Sequence, residues 1–209
     1  MIDSSQVPYN FINAPEIKPL WFKLRDIASA RLATLNYTKI MITESQEKYL
    51  ASLPNDKTIM VKPFDPKVQE VARGIVEKLK ELLPELQIYF GGASALGIAG
   101  QNDIDINILT VHEEYEKYIP LIQQIFGEPI KKGTSIKWEL VQDGFDVELY
   151  LTDKNSSGLQ DQLKVFEILS NNQALREEYE QTKLPYGEID FKDYMRKKYA
   201  FFNKILGVE

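Results

Sequence analysis

The stretch IYFGGASALGIAGQNDIDINILT, residues Ile88 to Thr110, decides how the chain is read. Two adjacent glycines and a run of small residues lead into two aspartates set among aliphatics. Strand alternation places Asp103 and Asp105 on one face, with Ile104 and Ile106 on the other. Two carboxylates at i and i+2 on one face repel each other, and burial makes the repulsion costlier unless a cation lies between them. Mg²⁺ or Mn²⁺ answers this, because hard cations take oxygen ligands and keep places for substrate phosphates. Upstream, Gly91 and Gly92 close a strand and lead to Ser94. Glycine lets backbone approach a ligand closely, and amides opening a following helix can hold a phosphate. A phosphate cradle followed by a metal-binding acid pair suits nucleotidyl transfer.

Further along, TSIKWELVQDGFDVELYLT reads as a hairpin turning at QDG. Its second strand carries Asp146 and Glu148 on one face, opposite Phe145, Val147 and Leu149. If that strand neighbours the Asp103 strand, its acids lie about 5 Å away laterally. A third acid there deprotonates an attacking hydroxyl or completes a metal site. Alternation does not choose between Asp146 and Glu148 for the catalytic role; Glu148 joins Asp103 and Asp105 as a candidate metal ligand.

The remaining elements follow from periodicity and punctuation. In DPKVQEVARGIVEKLKELLPEL, Asp65 caps a helix, Pro66 opens it, and Val68, Val71, Ile75, Leu79 and Leu82 form its apolar stripe. HEEYEKYIPLIQQIFG reads as a helix, as do LQDQLKVFEILS, QALREEYEQTKL and FKDYMRKKYAFFNKIL. VKPFDPKV and PYGEID read as connecting turns. Before residue 61, LWFKLRDIASARLATLNY has mostly helical spacing, and TESQEKYLASLPNDK a second helix, with Thr43 and Glu47 approximating a cap and Pro54 stopping it. The expectation is an α+β fold, a small mixed sheet packed with helices, over residues 61–209. An accessory N-terminal helical segment precedes it over residues 1–60.

Composition narrows the function. The 209 residues are 44% hydrophobic and 27% charged, a globular balance. No apolar run approaches the roughly 18 residues of a membrane span, and the N-terminus lacks a signal-peptide pattern. The chain has no cysteine, which excludes disulfides and thiolate metal sites and fits a cytoplasmic protein. A net charge of −6 argues against bulk nucleic-acid coating. With His112 the single histidine, and at a helix start, imidazole zinc sites and Ser-His-Asp triads are disfavoured. MRKKYAFFNK reads as a packed amphipathic helix through Tyr194, Phe201 and Ile205, and Lys198 on it is a candidate substrate contact.

FGGASALGIAGQNDIDI resembles the signature of the polymerase β-type nucleotidyltransferase superfamily: a glycine pair, a spacer, then Asp-aliphatic-Asp. Gly91 and Asp103 stand 12 positions apart, within that superfamily's usual spacing. From about Val61 to Leu206 the chain is also similar to the GrpB-like branch. VKPFDP matches its Tyr-Asp-Pro turn, NNQALREEYEQTK its Asn-Pro-Glu-Leu-Arg-Glu-Glu-Tyr helix, and YMRKKYAFF its final helix, which places Tyr194, Lys198 and Phe201. The resemblance implies metal-dependent transfer of a nucleoside monophosphate from an NTP to a hydroxyl or phosphate acceptor, a small molecule or a nucleic-acid end. Asp103 and Asp105 would hold Mg²⁺ or Mn²⁺, and Gly91, Gly92 and Ser94 the triphosphate. The chain departs from the branch in two places. Acids replace a His-x-His near residues 146–150, and Phe166 stands near a family arginine, whose phosphate role would pass to Arg176, Lys183 or Lys198. Two rival readings are a nucleotide- or metal-binding module that catalyses nothing, and an adaptor that binds a protein partner through its N-terminal helices.

Overall fold

In the computed structural model, which describes residues 42–208, the Ile88–Thr110 stretch folds as strand, short helix, loop and strand. These are β2 (Gln87–Gly91), α3 (Gly92–Leu96) and β3 (Ile104–Thr110). Ile104, Ile106 and Ile108 are fully buried, whereas Asp105 and Asn107 between them are partly exposed. The alternation read from the sequence is therefore the alternation of the strand.

The predicted hairpin forms from β4 (Ser135–Gln142) and β5 (Phe145–Asp153). Asp143 and Gly144 both have positive φ, 51° and 85°, which a two-residue turn between twisted strands requires. The four strands lie in the order β2-β3-β5-β4. β3 and β5 run parallel, and both outer pairs are antiparallel. The sheet is thus small and mixed, as expected.

One face of this sheet is apolar. It packs on α2 (Lys67–Leu82) and on α4 (Tyr115–Phe126), which lies on the crossover from β3 to the hairpin. Ile75, Leu79, Tyr118, Ile122, Trp138 and Leu149 centre the core. Trp138 is fully buried, and its indole N–H donates to the Gly127 carbonyl at 2.8 Å, so its polar atom is satisfied. α2 starts one residue later than expected, with Pro66 rather than Asp65 at its N-cap, and the Asp65 carboxylate accepts the Lys67 N–H at 3.0 Å. The helix stripe buries Ala72 with Val68, Ile75 and Leu79, and leaves Val71 and Leu82 at its margin.

Three further helices, α5 (Ser157–Asn171), α6 (Gln173–Thr182) and α7 (Phe191–Leu206), gather a second apolar cluster of Ile98, Val165, Leu169, Tyr179 and Phe201. Ala93 and Leu96 of α3 pack against it. The glycine corner is therefore held between the sheet and these helices.

Two short strands went unread, one leading into the VKPFDPKV turn and one within PYGEID. β1 (Thr58–Val61) pairs antiparallel with β6 (Gly187–Asp190), joining segments far apart in sequence. Before β1, α1 (Glu44–Ala51) forms where a helix was predicted. Its capping box uses Gln46 with Thr43, rather than Glu47, because the box needs the residue three positions after the cap. Gln46 and Asn203 exchange amide hydrogen bonds at 3.1 and 2.9 Å, tying α1 to α7. The helix expected over LWFKLRDIASARLATLNY lies outside the described residues, and so does most of the accessory segment 1–60. Among the described residues no helix is long and apolar enough to cross a membrane.

Candidate active site

The glycine corner and the acid pair meet directly. Gly91 pairs with Asp105 across β2 and β3. Gly92 then turns with φ +77°, and a Cβ placed on it would lie 2.3 Å from Asp105 Oδ2. Only glycine meets both demands, a left-handed backbone and a carboxylate at that range. α3 ends at Gly97, also left-handed at φ +69°, which sends the chain through Ile98–Asn102 to Asp103.

Ser94 lies under this corner. It is fully buried, its hydroxyl has no protein partner, and its carbonyl accepts the Gln69 side-chain amide at 2.9 Å. Gly91 is buried as well, and a Cβ there would press on the Tyr89 ring at 2.6 Å.

Asp103 sits one residue before β3 and accepts a hydrogen bond from Gln101 Nε2 at 3.3 Å. Burial raises its pKa, and the charge on Glu148 raises it further. Burial pushes Asp105 up to about 7, with the charge on Asp103 the next cause. The charge on Lys198, the candidate substrate contact, opposes both shifts.

The third acid is placed by register. Glu148 lies opposite Asp105 on the neighbouring parallel strand. Its carboxylate accepts the Tyr150 hydroxyl and pairs with Lys137 Nζ at 2.9 Å; Lys137 also pairs with Glu139. Asp146 is exposed on the same strand face. Asp103, Asp146, Glu148, Glu139 and Gln101 line a cleft of about 380 Å³ with Val141 at its edge.

Of the cations considered for phosphate, two have structural work. The Arg176 guanidinium donates to the Leu169 and Ser170 carbonyls at 3.0 and 3.1 Å, closing the end of α5. Lys183 is buried, and its ammonium donates to the Ala99 carbonyl at 2.8 Å. Phe166, near the expected arginine, packs edge-on against Tyr89 with ring centroids 5.2 Å apart. Lys198 Nζ lies 5.6 Å from the centre of the Phe202 ring, and its charge is felt at both acids.

Tyr194 and Lys137 complete the surroundings, and only Lys137 was not singled out from the sequence. Tyr194, expected as core and as part of the family's final helix, is buried, as is Tyr179; burial raises both phenol pKa values, and the charges on Asp103 and Asp105 add to the shifts. Lys137 was visible in principle: Ile136 and Trp138 alternate inward on β4, which turns Lys137 and Glu139 toward the acid face.

Asp103 and Asp105 offer hard oxygen donors of the kind a divalent cation takes. Among the described residues no three carboxylate or imidazole side chains are already gathered as a cation site. Glu148 would join only by loosening its pairing with Lys137.

Comparison with known proteins places the chain. The family model described as GrpB protein matches residues 58–207, and the chain belongs to this family. The crystal structure of conserved protein GrpB from Enterococcus faecalis aligns with a TM-score of 0.56 at 15% identity, covering 71% of this chain and 98% of that one. That likeness shows the fold alone. Cid1, described by its RNA terminal uridylyl transferase activity, aligns at 0.43 and 15% identity over 68% of this chain and 45% of its own. GLD-2 in the GLD-2/RNP-8 complex aligns at 0.42 and 14% identity, over 67% and 57%. These last two scores are too low to imply a shared fold. No curated protein matches the sequence.

Proposed function

We propose that the chain is a metal-dependent nucleotidyltransferase, moving a nucleoside monophosphate from an NTP to a hydroxyl or phosphate acceptor. The acceptor is a small molecule or a nucleic-acid end. The observation that carries this reading is the direct approach of Gly92 to Asp105. The missing side chain lets the Asp105 carboxylate close on the backbone that opens α3, which joins the glycine corner to the acid pair.

Asp103 and Asp105 hold Mg²⁺ or Mn²⁺, which when bound supplies positive charge to the phosphoryl oxygens. Gly91 and Gly92 seat the phosphates, Ser94 lies beneath them, and Lys198 offsets their charge. An acceptor hydroxyl in the cleft attacks the α-phosphorus and gives its proton to Glu148. The bond to the bridging oxygen breaks, and pyrophosphate leaves with the electron pair. Positioning and electrostatics supply most of the rate in chemistry of this kind. The test is Mn²⁺-dependent pyrophosphate release from each NTP across an acceptor panel. Release by wild type that is lost in Asp103→Asn supports the reading; equal release by both proteins sinks it.

One observation favours a second reading, a nucleotide-binding module without catalysis. Lys137 and Tyr150 occupy the Glu148 carboxylate. This reading gives nucleotide binding with no pyrophosphate release from any NTP.

A further inference from the structure

Between the glycine corner and the acid pair, the chain passes through Ala99, which is buried, and both of its backbone polar groups are held by side chains from one helix end. Its N–H donates to Glu180 Oε1 at 2.8 Å, and its carbonyl accepts Lys183 Nζ at 2.8 Å. Glu180 is in the last turn of α6, and Lys183 is the residue that caps it. The next residue, Gly100, is fixed by backbone alone, exchanging hydrogen bonds with Lys62 at 2.7 and 3.1 Å. Gly100 also has no room for a side chain, since a Cβ there would lie 2.8 Å from Ala93 Cβ. Asn102 follows in a left-handed conformation, its side chain bonded to the Asp65 N–H and the Pro63 carbonyl.

A lysine that is 2% exposed is an expensive way to satisfy one carbonyl. An ammonium loses its water on burial, and the ring of Tyr179, 4.3 Å from Nζ, replaces only part of it. A methionine would fill the same space without that cost, and replacing a buried charge by an apolar side chain is often neutral or stabilising. The buried ammonium is therefore poorly explained by stability. Its position explains it better: it acts on Ala99, four residues before Asp103, and its charge is felt at Asp103.

We infer that Glu180 and Lys183 are positioning residues that clamp Ala99 and thereby set Asp103 beside Asp105 for cation binding. The consequence for the cation rests on the proposed function; the clamp on the loop does not. Each side chain controls one backbone group, so removing either releases the same loop residue from a different side.

Two measurements on the full chain test this. Hydrogen exchange follows the amides of residues 97–104, and electron paramagnetic resonance follows free Mn²⁺ during titration with the metal alone. Lys183→Met and Glu180→Ala are expected to fold, to speed exchange in that segment by about tenfold, and to weaken Mn²⁺ binding by about tenfold. Glu180→Gln keeps an oxygen for the Ala99 N–H and is expected to restore both to near wild-type values. Unchanged exchange in folded Lys183→Met and Glu180→Ala overturns the clamp, as does Glu180→Gln behaving like Glu180→Ala. Faster exchange with unchanged Mn²⁺ affinity overturns the positioning role. Should Lys183→Met not fold, the two Glu180 variants decide alone. Wild type that binds no Mn²⁺ counts against the proposed function, and the exchange result still decides the clamp.

Discussion

Gly92 and Asp105 are so close that the Cβ absent from Gly92 would lie 2.3 Å from the aspartate's Oδ2. The glycine pair and the acid pair are separate motifs in the sequence and one surface in the fold. Pairing of Gly91 with Asp105 across the strands puts them there.

Gly92→Ala therefore meets two penalties, a left-handed φ and a carboxylate in its way. The expected cost is about 1–3 kcal/mol, or a fall in Tm of about 2–4 °C for each kcal/mol in a chain of this size. Asp105→Ala, Gly92→Ala should recover part of that loss, because the collision disappears while the φ penalty stays. Calorimetric unfolding of the single and double variants measures the recovery.

Asp105 makes a definite pH prediction. Its pKa rises on folding from 3.8 to about 7, so the folded state holds the proton more tightly than the unfolded chain. Stability from this group is fullest below pH 4 and is lost as pH rises toward 7. Asp105→Asn should match wild type near pH 4 and exceed it at pH 8, by about 2–4 kcal/mol at most. Urea unfolding at the two values checks the crossing. Under the proposed function Mg²⁺ binds the deprotonated carboxylate, so its stabilising effect on wild type should grow between pH 6 and pH 8.

Glu148 and Asp146 share a strand face but differ in surroundings. Glu148 lies opposite Asp105, and Asp146 is exposed. Glu148→Gln should lower turnover by about 100-fold or more, with nucleotide affinity little changed. Asp146→Asn should stay within a few-fold of wild type. Steady-state kinetics set beside binding isotherms separates the two.

Arg176 serves the fold rather than the site. Arg176→Ala frees the Leu169 and Ser170 carbonyls and should cost about 1 kcal/mol of stability. Nucleotide binding should be unaffected, which a thermal-shift titration of the variant shows.

The central strand was legible because buried Ile104, Ile106 and Ile108 alternate with the partly exposed Asp105 and Asn107. The hairpin announced itself at Asp143-Gly144, where two successive positive φ values restrict the residue choice. β1 and β6 were not legible. They are four residues each, lie beside prolines, and their pairing joins opposite ends of the domain. Within the site, parity could have brought out Lys137, yet its partnership with Glu148 depends on a strand order that no local pattern encodes. Lys183 is harder still: nothing around it in LREEYEQTKLPYG separates a buried lysine from a solvated one. The two helical carbonyls under Arg176 were equally hidden, since they belong to the preceding helix.

Nucleotide chemistry at the acid pair is tested most directly by thermal unfolding of wild type and Asp105→Asn with each NTP, with and without Mg²⁺. Ligand at about 100 times its dissociation constant contributes roughly 2.7 kcal/mol, a shift of several degrees. A metal-dependent nucleotidyltransferase should show a shift that needs Mg²⁺ and disappears in Asp105→Asn. A shift of equal size in both proteins, or none with any nucleotide in wild type, would rule that function out.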